Sequence, residues 1–239
     1  LAVLAVTPWP SLVAAQTKNG AFSYWSPARG GNWDHSNLQF SLLALKAARR
    51  CGIEVPKSLW LGAAEHLLDE QERKGPAVGR YEPGSRYGEV AKDSARGWGY
   101  TRNTPATGSM TAGCLSPLVI CRSQLLGTTL WPAALDERAV QASRDGAAWR
   151  GLRFTVEENP GPAGAPAVRE AWHYYYLYGL ERAGVLFGTE TFGRHDWYRL
   201  GAKFILDNQN PAGVWGNPGA QKDDEKAWNT WNTCFAILF

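Results

Sequence analysis

The sequence is poor in residues that build redox and metal chemistry, with four Cys, four His and one Met in 239 positions. Cys51, Cys114, Cys121 and Cys234 form no C-x-x-C pair, so neither a thioredoxin-type motif nor a zinc ribbon is written here. Cys114 and Cys121 stand about 10 Å apart if they share a helix, beyond disulfide reach. All four are expected as buried free thiols. No cofactor and no metal are expected. Excess charge of one sign is also lacking. The 25 Lys and Arg stand against 22 Asp and Glu, a net +3. Nucleic-acid binding needs a concentrated basic face, so no nucleic-acid partner is expected. No run reaches the 18 uncharged apolar residues of a transmembrane helix, which leaves association with a membrane surface open. Residues 1–15 are apolar but carry no basic flank and are interrupted by Pro8 and Pro10. They read as a helix tail and a loop, not as a secretion signal. Nothing in the composition points to a compartment. Residue 1 is Leu, and residues 233–239 end on an apolar TCFAILF. Both ends read as cut, so the rest of its own chain is an expected partner.

What is present in excess is aromatic and small. The chain has 12 Trp and 26 Gly, with a hydrophobic fraction of 44%. That excludes a disordered or collagen-like chain and a coiled coil. A repeat accounts for part of the excess. Residues 204–215 read FILDNQNPAGVW, with Gln209, Gly213 and Trp215 at Q-x3-G-x-W. Gln16, Gly20 and Phe22 keep the same spacing. Gln71 opens a third copy whose Gly-aromatic part is displaced to residues 97–100 (GWGY). A fourth and weakest copy spans 151–161, with Glu158 in the Gln place. A Gln amide can tie the orphan groups of a neighbouring helix end, and Gly permits a positive φ. The spacing therefore reads as a clamp between adjacent helical hairpins.

Around each clamp the pattern alternates. Amphipathic helices are expected over 56–71, 136–150 and 195–209, with Pro56 in the first turn and Asp136 as N-cap. More apolar helices are expected over 36–51, 109–122, 172–187 and 229–239. Pro117 falls inside one of them and predicts a kink or a later start. Sustained period-2 alternation is missing, so strands are not expected. The expectation is an all-α single domain over 1–239, with repeats at roughly 1–52, 53–126, 127–187 and 188–239. It is a partial (α/α) toroid, an open arc with apolar inner faces at both ends.

Residues 201–215, GAKFILDNQNPAGVW, resemble the QW repeat of triterpene cyclases such as squalene-hopene cyclase, whose toroid the β subunits of protein prenyltransferases share. Residues 39–45 (QFSLLAL), 108–113 (GSMTAG), 175–184 (YYLYGLERAG) and 233–239 are similar to segments of bacterial prenyltransferase/squalene oxidase repeat proteins. The resemblance covers nearly the whole chain. It implies a terpenoid cyclase/protein prenyltransferase-like fold and an apolar or isoprenoid small-molecule ligand. The acidic DxDDTA motif of the cyclases is missing, and so is the thioester CGEQ. Asn232-Thr233-Cys234 sits where prenyltransferases carry the D-x-C of a zinc site, but Asn is a poor zinc ligand.

In such a toroid the inner helices begin near the mouth of a central cavity. Asp34 and His35 open one of them and are the candidate catalytic pair, with Asp34 either a general acid or simply an N-cap. Gln39, Thr111, His173, Tyr174, Tyr175, Trp228, Trp231, Asn232 and Cys234 are the candidate cavity residues. Residues 96–102, RGWGYTR, place two Arg on a loop as a candidate anion site. Three functions compete: an isoprenoid-handling domain, a non-catalytic binding or protein-interaction scaffold, and a carbohydrate-active toroid of the polysaccharide lyase kind.

Overall fold

A computed structural model describes the backbone of residues 9–24, 32–81, 89–162, 172–216 and 222–239, and their side chains except at 9–11, 80–81, 89–91 and 222–228. The described residues form eight helices: α1 (Trp9–Ala14), α2 (His35–Arg50), α3 (Lys57–Glu70), α4 (Gly108–Leu125), α5 (Ala133–Leu152), α6 (His173–Phe187), α7 (Trp197–Asp207) and α8 (Lys222–Leu238). The fold is mainly α. It is not all-α, because two short antiparallel ribbons interrupt it: β1 (Ala77–Tyr81) with β2 (Glu89–Ser94), and β3 (Thr191–Phe192) with β4 (His195–Asp196).

The helices pack in a regular order. α2, α4, α6 and α8 touch in series. α3 and α5 pack on α4 and on each other, and α7 packs on α6. α4 is the hub and is buried nearly all round, from Gly108 to Leu118 without a break. It runs as one helix through Pro117. One hydrophobic core joins α2, α3 and α4 around Leu38, Leu42, Leu67, Leu118 and Trp98. A second joins α4, α6, α7 and α8 around Leu115, Leu177, Leu180, Trp197 and Trp215.

The clamps sit between these hairpins. Gln16 Nε2 donates to Gly20 O at 3.0 Å within its loop and to Leu59 O of α3 at 2.9 Å. Gln71 Nε2 donates to Arg96 O at 3.0 Å and to Ala142 O of α5 at 2.9 Å. Gln209 Nε2 makes the loop bond, to Gly213 O at 3.0 Å. The aromatic partners tie back to the helix just ended: Trp98 Nε1 to Leu67 O at 2.8 Å and Trp215 Nε1 to Ile205 O at 2.7 Å. Gly20 and Gly213 turn at φ +84° and +79°, where a side chain would be strained.

Several details depart from the sequence reading. In the third clamp Arg96 stands where Gly20 and Gly213 stand, because the β1–β2 ribbon delivers the carbonyl without a tight turn. Glu158 lies beyond the end of α5 at Leu152. Asp136 is not the N-cap of α5. The helix begins at Ala133, and Asp136 instead receives Arg122 Nε and Trp131 Nε1, each at 2.7 Å. Pro56 is the N-cap position of α3. His195 and Asp196 pair as a strand before α7, and Asp196 caps it. Cys114 and Cys121 are buried free thiols as expected, whereas Cys51 and Cys234 are exposed. Among the described residues no helix is long and apolar enough to cross a membrane.

Candidate functional site

The first turns of α2, α4 and α6 meet at one end of the helix series, and a cavity of about 550 Å³ opens there. That volume lies within the roughly 300–1,000 Å³ of small-molecule sites. Its apolar wall is Phe40 of α2, Met110 of α4, Trp172 and Tyr175 at the start of α6, and Phe235 of α8. Tyr24 and Tyr100 stand on two loops at its rim, and Ser36, Asn37, Thr107, Ser109 and Asn159 supply the polar wall. Among the described lining residues none carries a charge.

Tyr175 is the centre of the aromatic wall. Its ring stacks on Phe40 (6.0 Å between centroids) and meets Trp172 edge-on (6.2 Å) and Phe235 tilted (5.6 Å). Its hydroxyl donates to Gln39 Oε1 at 2.7 Å, and burial pushes its acidity well below that of a free phenol. The tyrosine therefore stays a neutral hydrogen-bond donor. Trp172 holds a left-handed backbone at φ +67° and half exposes its ring. A bulky residue rarely adopts that conformation.

The rim is pinned by the entry to α2. Asp34 N–H donates to Phe22 O, and a lone β-bridge pairs Ser23 with Trp33, which fixes Tyr24. His35 N–H donates to Tyr100 O, and His35 Nδ1 donates to Gly99 O at 2.6 Å, which fixes Tyr100. Asp34 caps α2: Oδ1 accepts Asn37 N–H at 2.8 Å and Oδ2 accepts Asn37 Nδ2 at 2.7 Å. Burial, with Tyr24 and Asp34 close by, raises the Tyr100 hydroxyl above the ordinary phenol range. On the opposite wall, Asn159 Oδ1 accepts Ser109 N–H at 2.9 Å and its amide nitrogen donates to Ser109 Oγ at 3.0 Å. That pair is internally satisfied.

The candidate residues named from sequence divide. Tyr175 lines the cavity. Asp34 and Gln39 lie behind the lining, one beneath Tyr100 and one beneath Tyr175. His35 turns into the core, where its ring meets Trp33 and His66 at 5.3 Å each. Burial lowers both histidines, His66 to about 3, so both rings stay neutral. Thr111 is fully buried and accepts the Trp98 N–H at 3.2 Å. His173 bonds Val156 O at 2.8 Å and packs on Phe204, and Tyr174 belongs to the second core. Trp231, Asn232 and Cys234 stand on α8 outside the lining, and Thr233 Oγ1 accepts the Trp215 N–H. The side chain of Trp228 lies outside the described residues. Consecutive residues on a helix diverge by about 100°, so one turn can present only part of itself to one cavity.

Tyr24, Phe40, Tyr100, Met110, Asn159 and Phe235 were not singled out from sequence. Helical spacing marks some of them: Ser36, Asn37 and Phe40 share one face of α2, and Trp172 and Tyr175 one face of α6. The expected anion site does not assemble. Arg96 is held by Asp145 at 2.6 Å and Arg102 pairs with Glu70. Among the described residues no group of three His, Cys, Asp or Glu can hold a metal ion.

Compared with protein families, with curated proteins and with solved structures, the chain matches none.

Proposed function

We propose that the chain is an arc of an (α/α) toroid of the terpenoid cyclase/protein prenyltransferase kind, and that it binds an uncharged, largely apolar small molecule, isoprenoid-like in character, at the mouth formed by α2, α4 and α6. The observation that carries this reading is the cavity itself: several aromatic rings around about 550 Å³, with no charge among the described lining residues. Aromatic faces and Met suit an unsaturated hydrocarbon chain, which gains burial without hydrogen-bond demands. The serial packing of α2, α4, α6 and α8 and the Gln clamps support the toroid. The proposed role is binding. The one acid nearby, Asp34, serves as the N-cap of α2, which is a positioning role.

Titration with farnesol and with squalene tests the reading, followed by displacement of the neutral dye Nile red from the protein. Saturable displacement by either compound, weakened at least tenfold by Tyr175→Ala and by Phe235→Ala, is the expected result. No displacement by either rules it out.

A scaffold role is the second reading. It is supported by the exposed apolar positions Leu206 of α7 and Ile237 and Leu238 of α8. A polysaccharide lyase-like role needs paired acids or a base with Arg around the cavity, and the described lining supplies neither.

A further inference from the structure

Away from the mouth formed by α2, α4 and α6, a second cavity of about 150 Å³ opens between α5, the β1–β2 ribbon and the turn that carries β3. One water occupies roughly 30 Å³ of the liquid, so the space holds about five waters or one solute of that size. α5 makes the room. Arg144, Ala147, Ala148 and Gly151 recur at helical spacing on its lining face, and three of the four are small. At Gly151 the cavity closes on backbone, because a Cβ there would lie 2.6 Å from Gly193 N. Phe187 at the end of α6 and Phe192 of β3 supply apolar walls.

Two charged side chains are among the described lining residues, and they do not pair with one another. Arg144 is half-buried and makes no ion pair or hydrogen bond among the described residues. The carboxylate of Asp145 is taken by Arg96, at 2.6 Å. Asp93 of β2 is buried, and its Oδ1 accepts Gln141 Nε2 at 3.3 Å. A carboxylate offers about four lone-pair sites, so Asp93 can accept further bonds. Thr189 spends its hydroxyl within its own turn, on Thr191 O at 2.7 Å. The last turn of α6 ends on the same lining and carries the negative end of the helix dipole. The cavity is therefore positive at Arg144, negative towards Asp93 and apolar between.

We propose that this cavity binds a free α-amino acid with a small apolar side chain, its carboxylate on Arg144, its ammonium on Asp93 and its side chain against Phe187 and Phe192. A guanidinium fork matches a carboxylate with two parallel hydrogen bonds. A zwitterion serves both charges at once, whereas a ligand with one charge leaves the other side chain unserved. The site does not depend on what binds at the mouth of α2, α4 and α6.

Saturation-transfer NMR on the full chain tests this with L-valine, isovalerate and isobutylamine, the last two being the valine skeleton without its ammonium and without its carboxylate. L-valine is expected to saturate and to bind about tenfold more tightly than either, the value of one charge-assisted hydrogen bond. L-tryptophan exceeds the cavity and is expected not to compete. Arg144→Gln has no internal pairing to lose and is expected to weaken L-valine about tenfold while leaving isobutylamine unchanged. Ala148→Leu keeps both charges, fills the space and is expected to abolish binding. Thermal unfolding checks that both variants are folded. Equal binding of the three small probes, competition by L-tryptophan, undiminished L-valine binding in folded Arg144→Gln or Ala148→Leu, or no saturation by any probe overturns the assignment.

Discussion

Tyr175 of α6 donates its hydroxyl hydrogen to Gln39 Oε1 of α2 at 2.7 Å, joining two helices that are 136 residues apart in the chain and share α4 as a neighbour. The bond forms directly behind the aromatic wall, so the wall's central ring is held by a buried amide. α4 makes room for it at Gly113, where a Cβ would lie 2.6 Å from that same oxygen.

Gly113→Ala is therefore expected to displace Gln39 and break the Tyr175 bond, at about 1–3 kcal/mol of stability. Tyr175→Phe leaves the Gln39 oxygen without its donor, at about 1–3 kcal/mol. Since both changes remove one interaction, their sum should exceed the double variant's cost. Urea midpoints of the three variants read this, and strict additivity would contradict the shared role.

The clamps differ by position. Gln71→Ala removes bonds to Arg96 O and Ala142 O in a buried setting and should cost about 1–3 kcal/mol. Gln209→Ala removes one exposed loop bond and should stay within about 0.5 kcal/mol. Thermal unfolding of the two variants decides. A Gln209 effect as large as that of Gln71 contradicts the clamp as a bond between hairpins.

His66 makes stability depend on pH. Burial lowers its pKa from 6.5 to about 3, and the neighbouring His35 is lowered too. In the unfolded chain both take up a proton near 6.5, so between pH 6.5 and 3 the unfolded state holds more protons. Stability is full above 6.5 and falls as the pH drops, by up to about 1.4 kcal/mol per pH unit for each histidine. His66→Leu should flatten that slope in urea unfolding at pH 7, 6 and 5. An unchanged slope contradicts a neutral buried His66.

Much of this molecule is readable from local pattern. The helices of 35–50, 57–70, 108–125 and 173–187 follow from apolar periodicity, and the Gln-Gly-aromatic loops announce their own hydrogen bonds. What escaped depends on three dimensions. The β1–β2 ribbon is held by Asp145 of α5, which accepts Ser94 N–H at 2.9 Å from a distance of 51 residues, and no local alternation reveals it. Tyr24 and Tyr100 reach the rim only because the two loops are tied to the start of α2. His35 looked like a site residue beside Asp34, yet the helical turn carries its ring to the opposite side, against His66. Which side chains face the cavity was decided by rotation about each helix axis.

The claim that a cavity-bound apolar chain lies along Tyr175 is tested most directly by photo-crosslinking with a diazirine-bearing farnesol, followed by mass-spectrometric mapping of the adducts. The account predicts adducts on Phe40, Trp172, Tyr175 or Phe235, competed away by unlabelled farnesol. Adducts confined to the exposed Leu206, Ile237 and Leu238, or insensitive to competition, would contradict it.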